Sequence, residues 1–276
     1  MPEVSVLMAS HNGEKFIRQS LDSIINQTFS DFELIVINDA SSDNTLDILK
    51  EYADKDSRIR FYSNEKNRGL TVSLNTALKY VSPDSRLICR MDDDDICMPN
   101  RLEMQTKYFR QHKEADIVGS NAFIIDDENR IIGERTTPAN HEEITATLPR
   151  YNPMIHSSIM IKCNVLKNAG GYNEEFRTSQ DYELWFRLAA AGARFANIPE
   201  NLLKYRETRS AQRRKSMKYR FNDFKIRKRG YKLLKLPFCK YIWLALPLLI
   251  GCVPKPIYKL LIKTDPRRNV KIKIKK

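Results

Sequence analysis

Apolar residues arrive in blocks along the first hundred positions. "VSVLMAS" (residues 4–10), "FELIVIN" (32–38), "RIRFYSN" (58–64) and "RLICRM" (86–91) are short runs rich in apolar and β-branched residues. Between them the spacing becomes helical: Phe16, Ile17, Leu21, Ile24 and Ile25 lie on one face, and "TLDILKEYADK" and "GLTVSLNTALKYV" repeat that pattern. Strand and helix alternate, and the strands are apolar on both sides. This predicts an α/β fold with a mostly parallel central sheet flanked by helices.

After Pro99 the pattern changes. "RLEMQTKYFRQH" reads as a helix started by Pro99 and Asn100. A strand from residue 116 runs into a hairpin turning near 127–129, and "HSSIMIKC" reads as another strand. "SQDYELWFRLAAAG" opens on a polar turn and becomes a helix, and "FANIP" and "NLLKYRE" read as two short extended pieces. The expected organisation is one α/β domain over 1–210, with halves at about 1–100 and 101–210, then an extension over 211–276.

Charge sets that extension apart. Of 47 Lys and Arg and 34 Asp and Glu, the stretch 201–276 holds 24 and 3, a net of +21, while the preceding 200 residues carry −8. A mildly acidic body joined to a basic tail implies an anionic partner for the tail. The five cysteines are odd in number, scattered and free of any C-x-x-C pair, which disfavours a disulfide framework or zinc site and suits a reducing cytoplasm. The start "MPEVSVLMAS" lacks the basic and long apolar segments of a signal peptide.

Candidate chemistry collects at the carboxyl ends of the expected strands, where open α/β sheets bind ligands. Ser10-His11-Asn12, Asp39 and the run Asp92-Asp93-Asp94-Asp95 all fall there. Four consecutive carboxylates repel one another, and a cation offsets that repulsion. Mg²⁺ or Mn²⁺ takes such hard oxygen ligands together with substrate phosphates. No G-x-G-x-x-G follows the first strand and no G-x-x-x-x-G-K-[ST] occurs, which disfavours dinucleotide and P-loop sites.

Several ordered stretches carry a resemblance: "LMASHNGEKFIRQSLDSIINQTFSDFELIVINDASSDNT", "NRGLTVSLNTAL", "CRMDDDDICMPNRLEMQ" and "SQDYELWFRLA". Over residues 4–206 the chain resembles the family 2 glycosyltransferases of the GT-A fold. The resemblance implies a nucleotide-binding first half and an acceptor-binding second half. It implies Asp94 as the leading metal ligand and Asp92 as a nucleotide contact within an Asp-x-Asp-Asp element. Asp93 and Asp95 stay open between that site and a cap for the next helix. Asp39 corresponds to an acid that accepts the imide N–H of uracil. Ala9, His11, Glu14 and Arg68 correspond to the nucleotide surroundings, and Asp181 to the catalytic base of inverting members. Gln180 stands where relatives often have an acid. His156 lies in the diphosphate or acceptor vicinity. The Gln-x-x-Arg-Trp of processive synthases does not occur, which implies transfer of one sugar.

The apolar run between Lys240 and Lys255 has 14 residues and contains Pro247, short of the roughly 20 a membrane span needs. It reads as an interfacial segment anchored by Tyr241 and Trp243. The expectation is therefore a cytoplasmic enzyme peripheral on the inner membrane face, moving one sugar from a UDP-sugar to a lipid-linked or lipopolysaccharide-type glycan. Two alternatives stand against it: a nucleic-acid-binding protein gripping phosphates through the tail, and a sugar nucleotidyltransferase. The first leaves Asp39, Asp92–Asp95 and Asp181 without a role, so nucleic acid is the disfavoured partner. The second normally needs a Gly-rich basic loop, of which "ASHNGEKF" is a poor version.

Overall fold

The structure, a computed structural model, describes residues 2–207, 217–241, 243–244 and 268–269. The apolar run beyond Leu244, residues 208–216 and the basic stretch from 270 lie outside the described residues.

The apolar blocks form the expected strands. β1 (Val4–Ser10), β2 (Phe32–Asn38), β3 (Ile59–Ser63) and β4 (Leu87–Arg90) are parallel, ordered β4-β1-β2-β3. They are linked by α1 (Ile17–Ile25), α2 (Thr45–Lys55) and α3 (Leu70–Lys79). β1 and β2 are buried at every residue because helices cover both faces. The consequence for the site is directional: Ser10, Asn38 and the residues after Arg90 emerge at one edge.

Beyond β4 the sheet turns antiparallel. β8 (Met160–Lys162) pairs with β4, β6 (Ile117–Ile125) with β8, and β7 (Ile131–Arg135) with β6. The two extended pieces expected at 195–207 form one strand, β9 (Phe195–Arg206), parallel to β6 with register shifts near Asn121. Its far end pairs with the two-residue β5 (Ile96–Cys97), tethering the chain after the aspartates. A short β10 (Arg268–Asn269) pairs with β7. α4 (Arg101–Gln111) starts at Asn100, whose side chain makes no capping bond. The sequence pattern does not predict helices α5 (His141–Thr147) and α6 (Cys163–Asn168); at 7 and 6 residues they are too short to show a period. Residues 156–158, expected as strand, form a 3-10 turn before β8.

Two buried clusters lie on opposite faces of the sheet. The second gathers α3, α7 (Gln180–Ala190) and residues past 210. α8 (Met217–Leu233) packs on α7, and Ile226, Tyr231 and Leu244 are buried there. The first part of the basic extension therefore belongs to the core. Contact is close because Gly230 faces the Phe186 ring: a Cβ at this position would lie 2.2 Å from Phe186 Cγ.

Gly230→Ala tests that contact. Alanine in a helix is favoured over glycine by about 1 kcal/mol, but forcing a methyl into a packed core costs about 1–3 kcal/mol. Phe186 is itself buried, so its ring cannot step aside into solvent and the clash wins. A lowered unfolding midpoint in denaturant titration is expected, and a raised one would show that α8 is loosely seated.

Candidate active site

The four aspartates diverge. Asp92 Oδ1 lies 2.5 Å from Nη2 of Arg90, whose side chain is 1% exposed. Asp93 turns to the first loop and accepts the Ser10 hydroxyl at 2.5 Å. Gly13 lies against it: a Cβ at Gly13 would sit 2.5 Å from Asp93 Oδ2. Asp95 is fully buried; its Oδ1 accepts the Arg206 N–H at 2.8 Å, and its Oδ2 has no hydrogen-bond partner among the described residues. Asp92, Asp94 and Asp95 each offer an oxygen within 4.8 Å of the others. Neither Asp93 nor Asp95 caps α4, since that position belongs to Asn100.

Burial makes these charges costly. Burial, then the neighbouring Asp92, push the Asp93 carboxyl up to about 6, with the Ser10 hydroxyl pulling the other way. Asp94 and Asp95 are raised too, by burial first and then by the surrounding carboxylates. Buried oxygens that repel one another, one of them unpartnered, fit a divalent cation with hard-oxygen preference. Asp92, Asp94 and Asp95 are the residues able to hold it.

Arg206 organises the loop around them. Its Nε donates to Asp94 O at 2.7 Å, its Nη1 to Asp126 O at 2.7 Å, and its Nη2 to Gln19 Oε1 at 3.1 Å and Asn129 Oδ1 at 2.6 Å. Its guanidinium also lies 4.2 Å from the Phe16 ring centre. Arg101, fully buried, donates to Arg90 O at 2.9 Å and to Ile159 O at 3.3 Å, and reaches Cys97 Sγ at 3.2 Å.

Asp39 lies at the end of β2 and is 3% exposed. Oδ1 accepts from Asn64 Nδ2 at 2.6 Å and Arg68 N at 2.9 Å, and Oδ2 from Gly69 N at 2.7 Å. Burial opposes the charge, but these donors, with the Ser73 hydroxyl, hold the carboxyl below its usual range. Ala9 is buried at the end of β1, and exposed His11 places Nδ1 2.8 Å from Asp39 O. The Arg68 side chain is exposed beside them. Glu14 faces elsewhere: its carboxylate accepts from Asn44 N at 3.2 Å and Asn44 Nδ2 at 2.6 Å, over the start of α2.

A cleft of about 270 Å³ joins Asp92 and Arg90 to Asp181. Asp181 is in the first turn of α7, whose N-cap is Ser179, so it is not the cap itself. Asn152 Nδ2 donates to Asp181 Oδ2 at 2.6 Å. Gln180, 4% exposed, and His156 line the same cleft. His156 Nε2 lies 2.9 Å from the Tyr172 hydroxyl, and burial followed by the Arg90 charge lowers its pKa well below the ordinary value, so its ring is neutral at pH 7. Sequence reasoning does not single out Arg90, Asn152 or Arg206. Arg90 does carry a signal, a lone cation inside the apolar run "LICRM".

The Asp93 shift gives a pH test. A carboxyl at about 6 when folded and near its ordinary value of 3.8 when unfolded takes up a proton on folding. Its contribution is fully present below about 4 and is lost as pH rises through about 6. In chelator, Asp93→Asn should therefore melt above the wild type at pH 7.5, and the two should converge towards pH 4. A difference independent of pH would remove the raised carboxyl.

Comparison with known proteins identifies the family and the fold. Residues 5–169 match the sequence profile of Glycosyl transferase family 2. The EpsE protein of Bacillus subtilis is 34% identical over 259 residues, covering 93% of this chain and 91% of its own. The O-antigen biosynthesis glycosyltransferase WbnJ of Escherichia coli is 36% identical over 224 residues, covering 78% and 84%. Among solved structures, residues 1–349 of S. aureus TarS in complex with UDP superpose with a TM-score of 0.68 at 19% identity, covering 96% of this chain and 76% of that one. That likeness shows the fold, a curled α/β sheet flanked by helices. With a matched profile over more than half its length and relatives aligned along nearly all of it, the chain belongs to glycosyltransferase family 2.

Proposed function

We propose that this glycosyltransferase moves one sugar, with inversion, from a UDP-sugar to a lipid-linked or lipopolysaccharide-type glycan. The observation that carries the reading is one cleft lined by Asp92, whose carboxylate lies within 4.8 Å of those of Asp94 and Asp95, and by Asp181, held by Asn152. Two relatives support the substrate class. TarS was solved with UDP and with UDP-GlcNAc. WfgD of Escherichia coli, 34% identical over 185 residues, is a UDP-Glc:alpha-D-GlcNAc-diphosphoundecaprenol beta-1,3-glucosyltransferase.

In this mechanism Asp39 accepts the uracil imide N–H, with Ala9, His11 and Arg68 around the nucleoside. Asp93 braces the loop at Ser10 and Gly13. Asp92, Asp94 and Asp95 would hold Mg²⁺ or Mn²⁺, which would offset charge on the departing diphosphate. Arg90 holds Asp92 in place. Asp181 accepts the acceptor hydroxyl proton as that oxygen bonds to the anomeric carbon and the bond to UDP breaks on the opposite face. Neutral His156 and Gln180 shape the acceptor side.

The enzyme acts at an anionic membrane surface on the cytoplasmic side. Among the described residues no helix is long and apolar enough to span a bilayer. α8 instead exposes Phe221 and Met217 beside Lys225, Lys228 and Lys232, and Phe238 beyond it is 88% exposed. Each cation near an anionic leaflet adds about 1 kcal/mol.

Three measurements test this reading. With Mn²⁺ and a panel of UDP-sugars, UDP release should appear, and excess EDTA should abolish it. Release that persists in EDTA would exclude the metal role. Asp181→Asn should retain UDP binding and lose about 10²–10⁴-fold in rate; a loss under about tenfold with chemistry limiting would argue against a base there. Full-length protein should sediment with phosphatidylglycerol vesicles and not with phosphatidylcholine alone. The pair Phe221→Glu and Phe238→Glu should weaken that, and unchanged sedimentation would move the contact off α8.

A further inference from the structure

α8 has two unlike faces, and the inward one leads to Asp181. The helix holds seven Lys and Arg and a single acid, Asp223. That acid faces α7, where it accepts the Ser179 hydroxyl at 2.8 Å. The adjacent Asn222 donates its amide to Thr178 O at 2.8 Å and to Thr178 Oγ1 at 3.0 Å. Thr178 and Ser179 form the turn that delivers Gln180 and Asp181 into the cleft. Ser179 adopts φ 56°, a left-handed conformation disfavoured for a residue with a Cβ. Such a turn persists when its surroundings hold it.

The same helix reaches the other support of Asp181. Arg227 Nη1 and the Tyr231 hydroxyl both donate to Pro149 O, at 3.2 and 2.5 Å. Pro149 precedes Asn152 by three residues, and Asn152 is the donor to Asp181 Oδ2. Tyr219 lines the cleft itself. One helix face thus meets both loops that frame Asp181, through four side chains that do not enter the reaction.

We propose that α8 is a positioning element of the active site: Asn222 and Asp223 clamp the 178–179 turn and so fix the carboxylate of Asp181 against the acceptor hydroxyl. The inference rests on the reading of Asp181 as base. Asp223 and Ser179 are positioning residues, since neither touches the reacting atoms.

The test uses the full-length enzyme, the UDP-sugar it turns over, UDP release as rate and calorimetric UDP binding as the check on folding. Ser179→Ala and Asp223→Ala should each lower kcat by about 10- to 100-fold, as expected for a catalytic group misplaced by an ångström or less. UDP affinity and the KM for donor should stay at wild-type values. The double variant should be no slower than the slower single one, because both remove the same bond. Asp223→Asn keeps an oxygen that accepts from Ser179 and should restore most of kcat. Wild-type kcat in Ser179→Ala overturns the proposal, as does an Asp223→Asn variant that binds UDP yet is as slow as Asp223→Ala. Should Asp223→Ala fail to bind UDP, Ser179→Ala and Asp223→Asn still decide between the two outcomes. Asp181→Asn is run beside them: if it stays active, the base reading falls and this proposal with it; if it is inactive while Ser179→Ala is normal, only the clamp falls.

Discussion

Four carboxylates in succession must be kept at the end of a buried strand. Two unit charges 4 Å apart interact by about 4 kcal/mol at an effective dielectric of 20. A few uncompensated pairs of that size match the whole stability of a domain, about 5–15 kcal/mol. Three buried arginines answer this, each differently. Arg90 meets Asp92 directly. Arg101 and Arg206 donate mainly to carbonyls, amides and sulfur and act on the carboxylates through their field and the backbone they hold. That arrangement leaves oxygens of Asp92, Asp94 and Asp95 within 4.8 Å of one another. Direct pairing of all four would have been easier to hold and would have left nothing to bind with.

Much of this is legible in the sequence because it depends on pattern. Apolar runs buried on both faces announce parallel strands, and the polar clusters ending them have to share an edge. Orientation is not legible. Asp93 and Asp95 are identical neighbours, yet one turns to Ser10 and the other to Arg206, a choice made by contacts more than 80 positions away. Glu14 sits in a nucleotide-like motif but is drawn to the backbone N–H and side-chain amide of Asn44 at the start of α2. β9 reads as two pieces because Pro199 and Glu200 interrupt its apolar run, while the ladder to β6 absorbs them through a register shift. α8 reads as part of a basic, partly helical extension turned to an anionic partner, because its cations hide a narrow inward stripe of Ile226, Gly230 and Tyr231.

The two faces of α8 set the proposed membrane contact on one side of a helix and the loops that frame the proposed base on the other. Outward cations and aromatics are exposed; inward Asn222, Asp223, Arg227 and Tyr231 meet the loops of the cleft. An acceptor presented by a membrane would then arrive on the side from which the base is held. The charge asymmetry first visible in composition thereby acquires a geometric sense.

Arg206 also sets an order of events during synthesis. Its partners lie 111, 112 and 187 positions earlier, at Asp95, Asp94 and Gln19. At elongation rates of about 5–20 residues per second, the aspartate edge emerges on the order of 10 s before the residue that ties it down. During that interval the first four strands carry their acidic rim with only the two nearer arginines to offset it. A nascent chain in this state has the strands that carry the proposed nucleotide site and lacks the residue that ties the aspartate loop down. The residues proposed to contact the nucleotide are thus among the first to be made, and the contact that fixes their rim is among the later ones.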